Sequence, residues 1–134
     1  ILTDLNGMAN AASNATNGIE YPDKMVLPIA QYDLISQQPR SSTSDTTVKE
    51  FFLGNSPTIK EIVPWWPCKT AGALGVTRAV TYRMDLEALW FYMPQEFQPM
   101  APQLRGLEYI VPCTADFGGV HVRLPKSITY ADGI

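Results

Sequence analysis

His121 is the only histidine in a chain of 134 residues. Imidazole serves as a base near neutral pH or as a metal ligand, but either role needs partners. The two cysteines, Cys68 and Cys113, are the other soft donors. Zinc takes about four Cys, His or acidic ligands at suitable spacing, and Cys68, Cys113 and His121 have no such spacing. A nucleophile needs a base and an orienting group. The serines and threonines concentrate in Ser41 to Thr47, with no histidine nearby in sequence. Asp85 with Glu87, or Glu96 with Glu108, supply carboxylate pairs of the kind used in general acid–base work. No motif surrounds either pair, so they read as surface acids. Gly72-Ala73-Leu74-Gly75 lacks the lysine and the following helix of a phosphate-binding loop. The residues therefore assign no catalytic, cofactor-binding or metal-binding position and imply no enzyme, no cofactor and no small-molecule substrate.

Trp65-Trp66, flanked by Pro64 and Pro67, has the clearest binding potential. Adjacent tryptophans can form an aromatic platform for a sugar ring. The alternative places one in the core and the other over a loop or subunit contact, because large aromatics dominate both environments.

The elements that position these residues follow from composition and pattern. A content of 46% hydrophobic and 17% charged residues suits one folded domain with a sizeable core. So few charges imply either a quiet surface or one covered by something, often copies of the same chain. The net charge of −3 with no basic cluster gives no footing for nucleic acid. No apolar run reaches membrane-spanning length, and no signal-peptide pattern is present. Two cysteines do not make a disulfide framework, and buried free thiols are expected. Asn14-Ala15-Thr16 matches a glycosylation sequon, a chance match without a secretion signal. The chain starts at Ile1 rather than methionine, close to a predicted helix start, which leads to the expectation of a C-terminal part of a longer protein.

Leu2, Leu5, Met8/Ala9, Ala12 and Ala15 recur at helical spacing, with Thr3 or Asp4 as cap and Gly18 as stop. Lys24–Leu27 reads as a strand, and Pro28 as the first residue of a helix with Ile29, Tyr32 and Ile35 inward. Gln37–Asp45 reads as an exposed loop. A short helix follows at about Thr46–Leu53, with Thr47 and Glu50 at capping-box spacing. Strands are predicted at Thr58–Val63 and Ala79–Arg83, with a loop at Thr70–Val76 between them. Three aromatic and β-branched runs complete the pattern: Ala88–Met93, Leu107–Cys113 and Gly119–Pro125. Asp116-Phe117-Gly118-Gly119 supplies a reversal, so Leu107–Leu124 is predicted as a two-stranded ribbon. Val120, Val122 and Leu124 alternate with His121 and Arg123, which predicts a buried valine–leucine face and an exposed histidine–arginine face. Pro94, Pro99 and Pro102 make residues 94–106 a non-strand crossing segment. The layout is α+β: a small mixed sheet, two or three short helices and a C-terminal β-ribbon.

From Asp23 on, the sequence resembles the C-terminal half of a tailed-phage major capsid protein, of the fold shared with encapsulins. The resemblance rests on Lys24-Met25-Val26-Leu27-Pro28-Ile29-Ala30-Gln31-Tyr32, Tyr82-Arg83-Met84-Asp85 and Met93-Pro94-Gln95-Glu96-Phe97. It also rests on Val120-His121-Val122-Arg123-Leu124-Pro125 running to Tyr130-Ala131-Asp132-Gly133-Ile134. It implies an axial-domain-like unit over residues 1–93. Residues 94–134 would then be a crossing segment and peripheral-domain-like ribbon. It further implies a structural role, copies of the same chain as partners, and a place in a virion assembled in the host cytoplasm. The family's N-terminal arm, extended loop and long spine helix have no counterpart here. The other reading is a carbohydrate- or ligand-binding module of a phage tail or fibre protein, using Trp65 and Trp66.

Overall fold

The computed structural model describes residues 1–134. Helix α1 (Leu2–Ala15) turns Leu5, Met8, Ala9 and Ala12 inward, on the predicted stripe. Its N-terminus has no side-chain cap. Instead the Asp4 carboxylate pairs with the Ile1 amino group at 3.0 Å. Gly18, at φ +79°, closes the helix by donating to the Ser13 carbonyl at 2.8 Å. Strand β1 (Lys24–Leu27) leads through Pro28 into α2 (Ile29–Gln37), with the proline in the cap position rather than the first turn. Helix α3 (Val48–Asn55) carries the predicted capping box. The Thr47 hydroxyl accepts from the Glu50 N–H at 3.2 Å, and the Glu50 carboxylate accepts from the Thr47 N–H at 3.2 Å.

Strands β1, β2 (Glu61–Pro64), β3 (Arg78–Tyr82) and β10 (Ile128–Asp132) form one sheet in the order β10-β3-β1-β2. β1 and β2 are parallel, and the other two pairings are antiparallel. Met25, Leu27, Ile62 and Ala79 point from this sheet into a core completed by Leu5, Met8, Ile35, Val48, Phe52 and Ile59. Burying each large apolar side chain is worth about 1.5–3 kcal/mol, so this cluster carries most of the fold's stability. The chain end is tied to it. The Ile134 carbonyl accepts from Gln31 Nε2 and Thr77 Oγ1, both at 2.7 Å.

The remaining strands build one long hairpin. β4 (Leu89–Tyr92) pairs with β9 (Gly119–Val122), β5 (Gln95–Pro99) with β8 (Cys113–Asp116), and β6 (Gln103–Arg105) with β7 (Glu108–Ile110). Arg105 faces Glu108 across a two-residue loop opened by Gly106 at φ +68°. The predicted ribbon within Leu107–Leu124 is therefore corrected. Those residues form one arm, and the other arm is the segment expected to cross without strand structure. Two sequence signals misdirect the assignment. Gly118-Gly119 reads as a reversal but continues one arm of the ribbon, since Tyr92 pairs with Gly119 and Gln95 with Asp116 in the same register. Gly119 stands at φ +85°, the Tyr92 carbonyl accepts from the Gly118 N–H at 2.8 Å, and the ribbon's register shift lies on the other arm, between Gln95 and Gln98. Pro94, Pro99 and Pro102 read as breakers, but each arm of a two-stranded ribbon has an edge without a partner, where a missing N–H is tolerated. The ribbon thus spans residue 93, and β10 returns to the sheet shared with β1–β3.

Candidate functional site

The side chains singled out for chemistry lie apart. Cys68 is the buried residue of the short helical turn Trp66–Lys69, and desolvation pushes its thiol above the ordinary range. Cys113 is exposed on β8, contrary to the expectation of two buried thiols. His121 sits on β9 with its ring 6.2 Å from that of Trp90, edge-on. No group of three or more His, Cys, Asp or Glu side chains is placed to hold a metal ion. Asp85 and Glu87 surround Arg83, at 2.7 and 3.8 Å, and Glu20 approaches the same guanidinium at 3.2 Å. The Glu87 backbone N–H, and then Arg83, hold the Asp85 carboxyl below its usual range. This is a strut joining the base of the ribbon to the end of α1. Glu96 and Glu108 stand exposed on β5 and β7. In the serine-rich loop, hydroxyls bond one another, as in Ser44–Thr46 at 2.7 Å, and Thr47 caps α3.

Neither tryptophan fills the core: Trp65 is 56% exposed and Trp66 71%. This overturns the expectation of one buried ring. The two line different recesses, Trp65 with Val26, Val63, Val80 and Tyr82, and Trp66 with Pro28, Lys69 and Thr77. They do not make one platform. Pro64 ends β2 and Pro67 sits in the helical turn, so the backbone bends between the rings.

The accessible apolar surface is concentrated in the ribbon. From Leu89 to Pro125 no residue is buried. Phe91, Phe117 and Val120 lie together on one face, with the phenylalanine rings 6.3 Å apart. Trp90, Tyr92 and His121 occupy the other, with the Trp90 and Tyr92 rings 5.8 Å apart. The expected buried face of Val120, Val122 and Leu124 is corrected. These side chains are 66%, 38% and 37% exposed. The alternation is real, but no layer of this chain lies beneath it. A two-stranded ribbon with two uncovered faces is marginal in water, and large exposed apolar patches mark interaction surfaces.

The four-stranded sheet has a second open surface, which the sequence reading did not single out. Helices cover one side only. On the other, Val63, Val26, Val80 and Tyr130 form a row across all four strands. The available signal was the unbroken apolar run Met25-Val26-Leu27, which marks a strand apolar on both sides. Ion pairs flank the row. Lys24 pairs with Glu61, and Arg78 grips Asp132 through Nε at 2.6 Å and Nη2 at 2.9 Å. The Arg78 fork, then the Ala73 N–H, lower the Asp132 carboxyl to about 2. A further recess of about 620 Å³, lined mainly by apolar residues of α1, α2 and β10, opens beside the chain end.

The sequence profile described as major capsid protein matches residues 1–134. No curated protein matches the sequence. Among solved structures, a chain from the capsid of Myoviridae phage XM1 superposes with a TM-score of 0.86 at 18% identity. The match covers 99% of the present chain and 45% of that one, so the chain spans less than half the length of the capsid protein it resembles in fold.

Proposed function

Because the chain belongs to the major capsid protein family, we propose that it is a structural portion of a tailed-phage coat subunit. It performs no reaction, and it works by binding copies of itself in a shell assembled in the host cytoplasm. The observation that carries this reading is the ribbon. It has apolar side chains on both faces, no core of its own and two free edges. Such a ribbon gains stability when a further layer covers it, and neighbouring subunits of a shell can supply one.

In this reading the helix-and-sheet unit within residues 1–93 is the axial part, joined by β10. Its loops at 37–45 and 70–76 lie toward a symmetry axis. The ribbon, which carries most of residues 94–134, reaches neighbouring subunits. The sequence expectation of an axial unit and a peripheral ribbon is kept, with β4 assigned to the ribbon and β10 to the sheet. The test is expression of the gene product that contains this chain, followed by negative-stain electron microscopy. Closed shells that disappear when Phe91 and Val120 are both replaced by aspartate support the proposal. A folded product that forms no particles, or unchanged particles from the double variant, refutes it.

A further inference from the structure

The loop at residues 70–76 is ordered without a core of its own. None of its residues is buried, and the Leu74 side chain is 104% exposed, as open as in an extended chain. Burial therefore does not hold it, and polar contacts must. Two of these are internal. The Gly72 N–H donates to the Val76 carbonyl at 2.9 Å, and the Gly75 N–H donates to the Gly72 carbonyl at 3.0 Å. They pinch the loop so tightly that a Cβ on residue 72 would stand 2.6 Å from the Val76 carbonyl oxygen. A third contact reaches the sheet: the Ala73 N–H donates to Asp132 Oδ2 at 3.1 Å.

Asp132 is itself fixed from two directions. It faces Arg78 across the β3–β10 pairing and takes the guanidinium fork on both carboxylate oxygens. The Arg78 guanidinium in turn lies over the Tyr130 ring, 5.1 Å from its centroid, which steadies the fork. Beyond Asp132, the Gly133 N–H donates to the Thr77 carbonyl at 2.8 Å, so the ladder runs on to the residue that follows the loop. The carboxylate therefore stands at a set place on the sheet end, and hydrogen bonds to an ionised acceptor are the strong ones.

Leu74 shows that the shape is imposed. Its backbone is left-handed, with φ 61° and ψ 21°, a conformation that strains a leucine. Its side chain recovers nothing through burial. Strain of this kind persists only where surrounding contacts over-determine it, and it clusters at functional positions. We infer that Asp132 is a positioning residue that locks the 70–76 loop in one preformed shape displaying Leu74. The inference rests on the coat-subunit reading only for the use of the loop. A loop ordered in advance loses less conformational entropy when a contact forms. In that reading Asp132 favours assembly without touching a neighbour.

Amide hydrogen exchange read by NMR on the 134-residue chain and three variants tests this. In the wild type the Gly72, Ala73 and Gly75 amides should be protected. Asp132→Ala should speed all three by about tenfold or more, because the charge-assisted tie is lost. Thr47→Ala weakens a distant helix cap and should leave the three rates unchanged, since the loop opens locally and not with the whole fold. Leu74→Gly relieves the left-handed strain and uncovers no core, so its urea midpoint should equal or exceed that of the wild type. If Asp132→Ala does not fold, Asp132→Asn replaces it under the same criteria, because one amide oxygen cannot serve both the Arg78 fork and the Ala73 N–H.

Loop amides that exchange freely in the wild type, that ignore Asp132→Ala, or that speed equally in Thr47→Ala overturn the proposal. A lowered urea midpoint for Leu74→Gly overturns it as well. All of these measurements are made on the free chain, so they do not depend on assembly. If they come out as expected but the complete gene product builds no particle, the coat reading fails and the positioning role stands. If particles form but the loop amides ignore Asp132→Ala, the positioning role fails and the coat reading stands.

Discussion

Leu27→Ala and Val120→Ala remove aliphatic side chains from two β-strands that look alike in sequence. Their environments differ: Leu27 is 2% exposed within the main core, and Val120 is 66% exposed on the ribbon. For Leu27 the transfer loss and the residual cavity add, giving about 2–5 kcal/mol. Only about a third of the Val120 side chain is withdrawn from water, and the change removes two methyl groups. At about 0.8 kcal/mol per fully buried carbon, the loss is about 0.5 kcal/mol. Total stabilities of small domains are about 5–15 kcal/mol, so Leu27→Ala removes a large fraction and Val120→Ala almost none. Urea unfolding at low protein concentration reads this as a large drop in midpoint for the first and little change for the second, with similar slopes. Equal destabilisation would refute the reasoning, because it would mean that the ribbon is held by a core within the single chain.

Four further outcomes follow from the same structure. Thr47→Ala removes one half of the capping box and should cost about 1 kcal/mol by thermal or urea unfolding; no change would show that the box is dispensable. Gly118→Ala places a Cβ 2.3 Å from Tyr92 Cδ1, so it should displace that ring, read as a changed near-ultraviolet spectrum. Asp132 has a folded-state value of about 2 against an ordinary 3.8. Its ion pair therefore stabilises the fold above pH 4, and that contribution is lost as pH falls toward 2. Asp132→Asn should lower stability at pH 6 and flatten the decline between pH 4 and 2; an unaltered pH profile would count against the Arg78 pairing. Finally, Cys113 should react with a thiol reagent in the native chain and Cys68 only after unfolding, with equal rates contradicting the burial assignment.

Local signals in the sequence placed the helices well. The α1 stripe, the Thr47–Glu50 box and strand β1 are each set by neighbours within a few residues, and they stand where the pattern put them. β4, β7 and β9 were legible as strands, but β5 and β6 lay in the segment read as a non-strand crossing, and the pairing was not legible. Which strand meets which is a long-range property, and the local cues at Gly118-Gly119 and Pro94–Pro102 fit a continuing strand and an edge as well as a turn and a break. The buried face predicted for Val120 and Val122 failed for a related reason. Alternation shows that a strand has one face suited to burial, but not that the covering layer belongs to the same chain. The same reasoning explains Trp65 and Trp66. Aromatic residues fill cores and interfaces alike, and here the tryptophans lie outside the core.

The central claim is that the ribbon has no core within one chain and is completed by neighbours on assembly. Amide hydrogen exchange on the free chain and on the assembled particle measures this directly, residue by residue. The account predicts fast exchange across Leu89–Val122 in the free chain, slow exchange at Met25, Leu27 and Ile62, and strong protection of the ribbon only in the particle. Ribbon amides as protected in the free chain as those of the four-stranded sheet, or unprotected in the particle, would contradict it.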